Sequence, residues 1–202
     1  KDATIREIHH RVKNNLQTVA ALLRLQSRRM SNSDAKDALK QAMGRVSAIA
    51  VVHEILSQNF EEQVAFDEVA DRILHMVGDV AASSGSVVAR REGSFGEVPA
   101  ETATALSLAT TELCQNAIEH SLDSSSGNVI VRPHRTDDAL VVDIVSDGKP
   151  LPEGFSLDNH RSSLGLSIVT TLMQDLGGTF TLEDNSDRVG TCARLVIPLQ
   201  RL

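Results

Sequence analysis

Two adjacent histidines stand near the start of the chain, in the segment EIHHRVKNN at residues 7–15. The apolar residues around them recur at the spacing of an amphipathic helix: Ile5, Ile8, Val12, Leu16, Val19, Leu22 and Leu23. At about 100° per residue, His9 falls about 70° from the centre of this stripe and His10 about 170° from it. We therefore expect His9 to border a core and His10 to face solvent. An exposed imidazole, partly neutral at pH 7, can act as a nucleophile.

A second group of polar side chains lies in TELCQNAIEH at residues 111–120. Glu112, Asn116, Glu119 and His120 share one face of a helix by the i, i+4, i+7, i+8 rule, and Cys114 points away from them. Carboxylate, amide and phosphate oxygens are the ligands that Mg²⁺ prefers. The stripe suits a magnesium–phosphate site, and it also suits the solvated side of a helix.

Two segments with glycines follow, VSDGKPLPEGF at residues 145–155 and SSLGLSIVTTLMQDLGG at residues 162–178. The second begins a predicted helix beside Gly165, where unpaired amide groups and the helix dipole favour an anion such as phosphate. Ser162 or Ser163 would be its N-cap. In the first segment, Asp147 and Gly148 are also explained by a simple turn of the chain.

Two architectures are needed to position these residues. The first is a pair of one-sided helices, at about residues 5–26 and 34–57, joined by a polar turn. His53 lies within the apolar stripe of the second helix and is interpreted as structural. Such a hairpin is too small to bury its own apolar faces, which predicts a homodimer built around a four-helix bundle.

After Asn59 helices and strands alternate, so we place a domain boundary between residues 60 and 61, with an all-α domain at 1–60 and a second domain at 61–202. In the second domain we predict helices at 67–83, 99–122 and 163–176, and strands at 86–92, 128–135, 139–146, 179–184 and 191–199. Residues 148–162 contain too many helix and strand breakers for either element and are predicted to form a loop. This order of elements predicts an α+β two-layer sandwich with helices on one sheet face.

Composition narrows the functional classes. The net charge of −7 and the absence of Tyr and Trp argue against direct nucleic-acid binding. Residues 1–30, however, hold seven Lys or Arg against two acidic residues, which suits either a solvated helix face or docking of an acidic partner. Two cysteines without metal-ligand spacing, and no signal peptide or membrane-spanning run, predict a cytoplasmic protein. Because the first residues already have a helical pattern, we expect a fragment whose sensory domain lies upstream.

The segment EIHHRVKNNLQTVAALLRLQSRR resembles the phosphoacceptor helix of the second HisKA class of sensor histidine kinases, relatives of the HWE kinases. The resemblance implies that His10 is the acceptor. Arg11 follows it, where the larger HisKA class has an acidic residue. Glu7, one turn earlier on the same face, is then the candidate for orienting the imidazole or accepting its proton, and Asn14 for positioning a water that dephosphorylates the regulator.

The segment ALSLATTELCQNAIEHS resembles the N box of the GHKL (Bergerat-type) ATPase fold, shared by histidine kinases, gyrases and Hsp90-like chaperones. The resemblance implies ATP and Mg²⁺ as cofactors. Asn116 would coordinate the metal, Glu112 would orient a metal-bound water and His120 would lie near the phosphates. Glu119 stands where this family commonly has a lysine.

The later segments resemble the remaining boxes of the same fold. In the first, an Asp at a strand end reads adenine and glycines such as Gly148 allow close approach. Ser146 aligns with that Asp, so either Asp147 takes the role, which is the alternative we favour, or adenine recognition is weaker. In the second box Gly165 and Leu166 would face the phosphates. The implied ATP lid between the boxes includes Lys149, His160 and Arg161, and Thr191 of GTCARLVIPL would flank the adenine.

The resemblance implies a two-component kinase core that phosphorylates itself on histidine and passes the group to a response-regulator aspartate. In the actinobacterial cytosolic kinases of this class, the regulator is typically an ANTAR-type RNA-binding protein. Two alternatives remain. One is a degenerate kinase that serves as a dimeric phosphotransfer scaffold, suggested by Ser146, Glu119 and Pro150. The other is a GHKL ATPase or anti-sigma-type serine kinase without a phosphohistidine.

Overall fold

The computed structural model describes residues 2–58, 63–82, 87–122, 126–157 and 164–199. Its first part is a hairpin of two long helices, α1 (Asp2–Arg29) and α2 (Ser33–Gln58). Asn32 caps α2, because its side-chain oxygen accepts the backbone N–H groups of Asp34 (2.9 Å) and Ala35 (3.3 Å). The predicted helical hairpin is confirmed.

The hairpin covers only one side of the apolar stripe of α1. Val12, Leu16 and Leu23 are half-buried. The other members of the stripe remain largely exposed: Ile5 (54%), Ile8 (53%), Val19 (43%) and Leu22 (57%). An exposed apolar row of this length on one helix is typical of an interaction face.

The second part is a sheet with helices on one face. Its strands are β1 (Gln63–Ala65), β2 (Val87–Arg91), β3 (Glu97–Pro99), β4 (Gly127–Arg135), β5 (Ala139–Ser146), β6 (Thr179–Asp184) and β7 (Thr191–Pro198). Its helices are α3 (Phe66–Ala82), α4 (Ala100–Asn116), which continues as a π-helical turn (Ala117–Ser121), and α5 (Leu164–Asp175). The predicted α+β two-layer sandwich is confirmed.

Five strands form the main sheet in the order β2-β4-β5-β7-β6, and β1 pairs with β3 separately. The β2–β4 pair is parallel and the other pairs are antiparallel. Strand β5 shows how the sequence sets the layers, because alternate residues face the helices and are buried: Leu140, Val142, Ile144 and Ser146. Leu113 of α4 and Met173 of α5 belong to the same core.

Two local features differ from the prediction. The three-residue strands β1 and β3 were not predicted; they pair with each other, with Gln63 opposite Pro99. Pro99 therefore ends a strand (φ −56°, ψ 148°) instead of lying in the first turn of α4. The predicted helix 99–122 also changes character after Asn116, since Leu122 N–H donates to the carbonyl of Ala117, an i to i−5 bond of 2.9 Å.

The hairpin contacts the second part of the chain mainly through α2, which packs on α4 and more lightly on α3. The predicted domain boundary at residues 60 and 61 lies outside the described residues. Within the part of the chain that is described, none of the helices is long and apolar enough to cross a bilayer.

Candidate active site

His10 is exposed on α1, and its neighbour His9 is half-buried against the hairpin core. The amide nitrogen of Asn14, one turn later, lies 3.4 Å from Nδ1 of His10. Glu7 is also exposed, and no hydrogen bond joins it to His10 among the described residues. The exposure of the two histidines therefore agrees with the geometry of the stripe, while the roles of Glu7 and Asn14 stay predictions.

A polar layer fixes α1 to α2 beside His10. Nδ1 of His9 lies 2.9 Å from Nδ1 of His53, with the rings 5.2 Å apart. Burial lowers the pKa of His53, and the charge of His9 lowers it further. Lys13 forms an ion pair with Glu54 (3.0 Å) across the same two helices. His53 is thus a structural partner in the hairpin, as its place in the apolar stripe suggested.

The four polar residues of α4 and its π-helical extension differ in burial and in their partners. Glu112 is buried, and both of its oxygens bind Arg45 of α2: Nε approaches Oε1, and Nη2 lies 3.2 Å from Oε2. Glu119 accepts a hydrogen bond from the side-chain amide of Gln41, which also belongs to α2 (3.3 Å). Asn116 is half-buried and His120 is exposed. Glu112 and Glu119 therefore face the hairpin.

Cys114, between these residues, is buried, and burial raises the pKa of its thiol to about 12. A thiol with that pKa stays protonated at neutral pH, so it is not a nucleophile. The sequence placed this side chain away from the polar stripe, and its burial agrees.

A cluster of hydroxyl groups joins the end of β5 to the π-helical turn. Ser146 is buried and lies opposite Thr191 of β7. Its Oγ is 2.7 Å from Oγ of Ser121 and 2.9 Å from Oγ1 of Thr191. Ser146 and Thr191 are therefore the polar groups that the sheet presents to the helical layer at this end.

Asp147 points elsewhere. Its carboxylate accepts the backbone N–H of Asn128 (2.7 Å) and the side-chain amide of the same residue (2.6 Å). Partial burial by itself would raise the pKa of Asp147, but these hydrogen bonds outweigh it and hold the pKa below its ordinary value. This arrangement goes against adenine recognition by Asp147. It favours the other alternative, in which Ser146 occupies the inward position and adenine recognition is weaker.

Gly148 is required for packing of the protein itself. A Cβ there would lie 2.2 Å from the backbone oxygen of Ser121, and the same oxygen accepts the N–H of Lys149 (2.7 Å). Gly190, with φ of +133°, approaches the backbone of Ser146 equally closely. The close approach at Gly148 is thus between its own backbone and the backbone of Ser121.

The first turn of α5 contains Gly165, half-buried, and Leu166, buried. This helix leads directly into β6, whose first residue Thr179 lies opposite Val196, near the far end of β7. The 12 residues of α5 span roughly 18 Å, and the helix packs on α4 and more lightly on β6 and β7. The predicted lid residues His160 and Arg161, and the predicted N-caps Ser162 and Ser163, lie outside the described residues.

The site fits a magnesium nucleotide in part. Within the described ranges, no three His, Cys, Asp or Glu side chains form a metal site. Asn116 would have to hold the ion together with phosphate oxygens and water, as Mg²⁺ commonly does. The amide of Asn116, the exposed His120 and the first turn of α5 provide polar groups for phosphates, whereas Glu112 is bound to Arg45.

Three features of the site were not predicted from the sequence: Arg45, Asn128 and the Ser121–Ser146 contact. One feature of the sequence could have indicated Arg45. It is a charged residue that stands between Met43 and Val46 of the apolar stripe, where an arginine is half-buried only with a partner. No such feature indicated Asn128 or Ser121, because their partners lie 19 and 25 residues away.

Comparison with known proteins agrees with this architecture. Residues 7–81 match the HisKA_2 histidine kinase family model, and residues 101–201 match the model for histidine kinase-, DNA gyrase B- and HSP90-like ATPases. The sensor histidine kinases PdtaS of Mycobacterium tuberculosis (strain H37Rv) and Mycolicibacterium smegmatis are 50% and 48% identical to the whole chain. The chain spans 40% of the length of each.

A solved structure is also similar. The histidine kinase domain of the Erythrobacter litoralis EL346 blue-light activated histidine kinase superposes with a TM-score of 0.69 at 26% identity, covering 98% of this chain and 92% of that one. Both parts of the chain, in the same order, are thus found in histidine kinases. The chain therefore belongs to the histidine kinases, with a HisKA_2 domain followed by a GHKL-type ATPase domain.

Proposed function

We propose that this chain is the core of a sensor histidine kinase, which phosphorylates its own His10 with ATP and passes the phosphoryl group to an aspartate of a response regulator. One observation carries the proposal: an exposed imidazole stands on a helical hairpin joined to an ATPase-family sandwich. A nucleophile that must meet a nucleotide and then a second protein needs that exposure.

In the proposed first step, an imidazole nitrogen of His10 forms a bond to the γ-phosphorus while the bond to the β,γ-bridging oxygen breaks and ADP leaves. In the second, the phosphorus–nitrogen bond breaks as an aspartate oxygen of the regulator forms the new one. Positioning and charge neutralisation dominate such transfers. Glu7, one turn before His10, is the proposed proton acceptor.

The proposed nucleotide site lies at the end of the sandwich where α4, β5 and the start of α5 meet. We assign to it the residues Asn116, His120, Asp147, Gly148, Gly165, Leu166 and Thr191. Mg²⁺, held by Asn116, would neutralise phosphate charge there. Glu112 would orient a metal-bound water once its carboxylate is free. The hydrogen bonds of Asp147 to Asn128 make it the weakest member of this set.

The proposed active unit is a homodimer, with residues 1–60 forming the dimerisation and phosphotransfer domain and residues 61–202 the ATP-binding domain. The exposed apolar row of α1 supports dimerisation. The basic side chains of the same helix would dock the acidic receiver domain of a response regulator, of the ANTAR RNA-binding type on the strength of the family resemblance.

The rival proposal is a degenerate kinase that acts as a phosphotransfer scaffold. It is motivated by the inward hydroxyl of Ser146, at the position where the fold family carries a carboxylate. The two proposals differ in one property: only the kinase forms phosphohistidine from ATP alone.

Incubation of the chain with γ-labelled ATP and Mg²⁺, followed by acid treatment, separates the alternatives. We expect acid-labile label in the parent and in His75→Gln, a control that replaces an exposed histidine of α3, and none in His10→Gln. Label that persists in His10→Gln contradicts the acceptor assignment. A silent parent favours the scaffold, and acid-stable label favours a serine kinase.

A further inference from the structure

The contact between the hairpin and the ATPase domain contains one buried ion pair. Glu112 of α4 is 5% exposed and Arg45 of α2 is 18% exposed. The guanidinium binds both carboxylate oxygens, Nε to Oε1 and Nη2 to Oε2. A two-point contact of this kind fixes the orientation of both side chains. The conformation of Glu112 is therefore set by a residue of another domain.

The neighbouring contacts follow α2 along α4. Gly44 faces the side chain of Gln115 on α4, whose amide nitrogen would lie 2.5 Å from a Cβ at position 44. Gln41, one turn before Arg45, donates to Glu119 at 3.3 Å. Three consecutive contacts thus join residues 41–45 of α2 to the helix that carries Glu112.

The same interface is bordered by a cleft. The cleft, of about 850 Å³ and partly open to solvent, lies between the hairpin, α3 and α4, and its lining includes Arg24, Met43, Met76 and Ile118. Solvent therefore reaches the side of the interface beside the ion pair. Breaking the pair would return both charges to water, so neither would be left buried and alone.

The pair has a chemical consequence. A carboxylate whose two oxygens both accept hydrogen bonds from a guanidinium is held in one direction, and one lone pair of each oxygen is already used. We propose that Arg45 is a positioning residue that withholds Glu112 from the nucleotide, so that the ATPase domain becomes competent only when α2 moves relative to α4. This inference rests on the proposed function, in which Glu112 acts in phosphoryl transfer.

Kinetics of self-phosphorylation of the full chain test the proposal. Arg45→Gln should raise kcat by about tenfold, a coupling of the size usual between two sites of one protein, and leave the KM for ATP unchanged. Arg45→Lys, which keeps the charge but not the two-point contact, should raise kcat by less than Arg45→Gln does. Lys40→Ala is the control, because Lys40 pairs only with Asp37 of its own helix among the described residues. An unchanged or lower kcat in folded Arg45→Gln overturns the proposal.

Two further variants separate release of Glu112 from general loosening. Gly44→Trp keeps Arg45 and Glu112 but adds a large side chain against Gln115 at the α2–α4 contact, and it should also raise kcat. If Arg45→Gln does not fold, the kcat of Gly44→Trp tests the proposal in its place. The double variant Arg45→Gln/Glu112→Gln should lose the gain of Arg45→Gln, and retention of that gain overturns the role given to Glu112.

Hydrogen–deuterium exchange measures the stability of the α2–α4 contact and does not depend on kinase activity. We expect Arg45→Gln to accelerate amide exchange in α2 and α4, and not in the strands β5 and β7. If the parent never phosphorylates His10 but exchange increases in this way, the contact controls domain position and the proposed function fails. If exchange in α2 and α4 is the same as in the parent, the inference fails whatever the activity.

Discussion

At the scale of single residues, the chain gives two neighbouring histidines opposite environments. His9 turns inward to meet His53, and His10 stays in solvent. The inward pair ties α1 to α2 within one turn of the proposed nucleophile. The position of His10 is therefore fixed by packing, and its imidazole needs no partner to hold it outward.

The histidine pair predicts a pH dependence of stability. The pKa of His53 is lowered in the folded chain, so below about pH 6.5 the unfolded chain binds more protons at this site than the folded chain does. Its contribution to the free energy of unfolding is present above that pH and decreases as the pH falls. Thermal unfolding at pH 5, 6 and 7 should show a smaller decrease for His53→Asn than for the parent; equal decreases contradict this assignment.

The orientation of Asp147 predicts the result of a binding experiment. Because its carboxylate is bonded to Asn128, Asp147→Asn should leave the affinity for ATP nearly unchanged, whereas Thr191→Val should weaken it by removing a hydroxyl of the inward cluster. Titration with a fluorescent ATP analogue gives both constants. A large loss of affinity in Asp147→Asn would show that Asp147 reads the base after all.

At the scale of elements, periodicity predicts most of the fold. The helical stripes of α1 and α2 and the alternating patterns of β4 to β7 are carried by many residues each, and their predicted bounds agree with the structure to within a few residues. Strands β1 and β3 have only three residues each and depend on pairing across more than 30 residues of chain. The π-helical turn likewise follows from tertiary packing, and no local pattern indicates it.

The site could be predicted less completely than the fold. The exposure of His10 follows from helical geometry alone, because it depends on residues within two turns. The partner of Glu112 depends on how two domains meet, and the partner of Asp147 depends on strand register. Both contacts join residues distant in sequence, so the spacing of residues within one segment does not reveal them.

Two glycines, one inside a helix and one directly before a strand, allow a prediction about stability. Gly78 lies inside α3, and a Cβ there would meet nothing within 4 Å. Gly78→Ala should therefore raise the free energy of unfolding by about 0.5–1 kcal/mol, since alanine favours helix. Gly178→Ala should instead lower it by about 1–3 kcal/mol, because its Cβ would lie 2.3 Å from the backbone oxygen of Val196. Urea denaturation measures both, and a destabilised Gly78→Ala contradicts the account.

At the scale of the whole molecule, the two parts of the chain are joined by buried apolar residues of α2 and by polar contacts around Arg45, and α1 keeps an apolar face outside that contact. Among the described residues, the ATPase domain thus occupies one side of the hairpin and leaves the apolar row of α1 uncovered. This division lets a second copy of the hairpin pack on α1 while the first remains in contact with its own ATPase domain.

The free face predicts an oligomeric state. Leu22 is 57% exposed toward the C-terminal end of the apolar row, so Leu22→Glu should convert a dimer into a monomer. Gln17→Glu is the matched control, since Gln17 lies two turns after His10 on the polar side of α1. Light scattering coupled to size-exclusion chromatography measures the mass. A monomeric parent, or a Leu22→Glu variant that remains dimeric, contradicts the bundle.

The central claim is that His10 receives the phosphoryl group, and the most direct measurement is localisation of the phosphate by mass spectrometry. After reaction with ATP and Mg²⁺, trypsin cleavage after Arg6 and Arg11 releases residues 7–11, which contain both histidines of the pair. If the peptide is prepared at alkaline pH, where phosphohistidine is stable, its fragment masses show which of the two histidines carries the phosphate. The account predicts a phosphoramidate on His10 and an unmodified His9; phosphate on His9, on a hydroxyl side chain, or nowhere in the chain would contradict it.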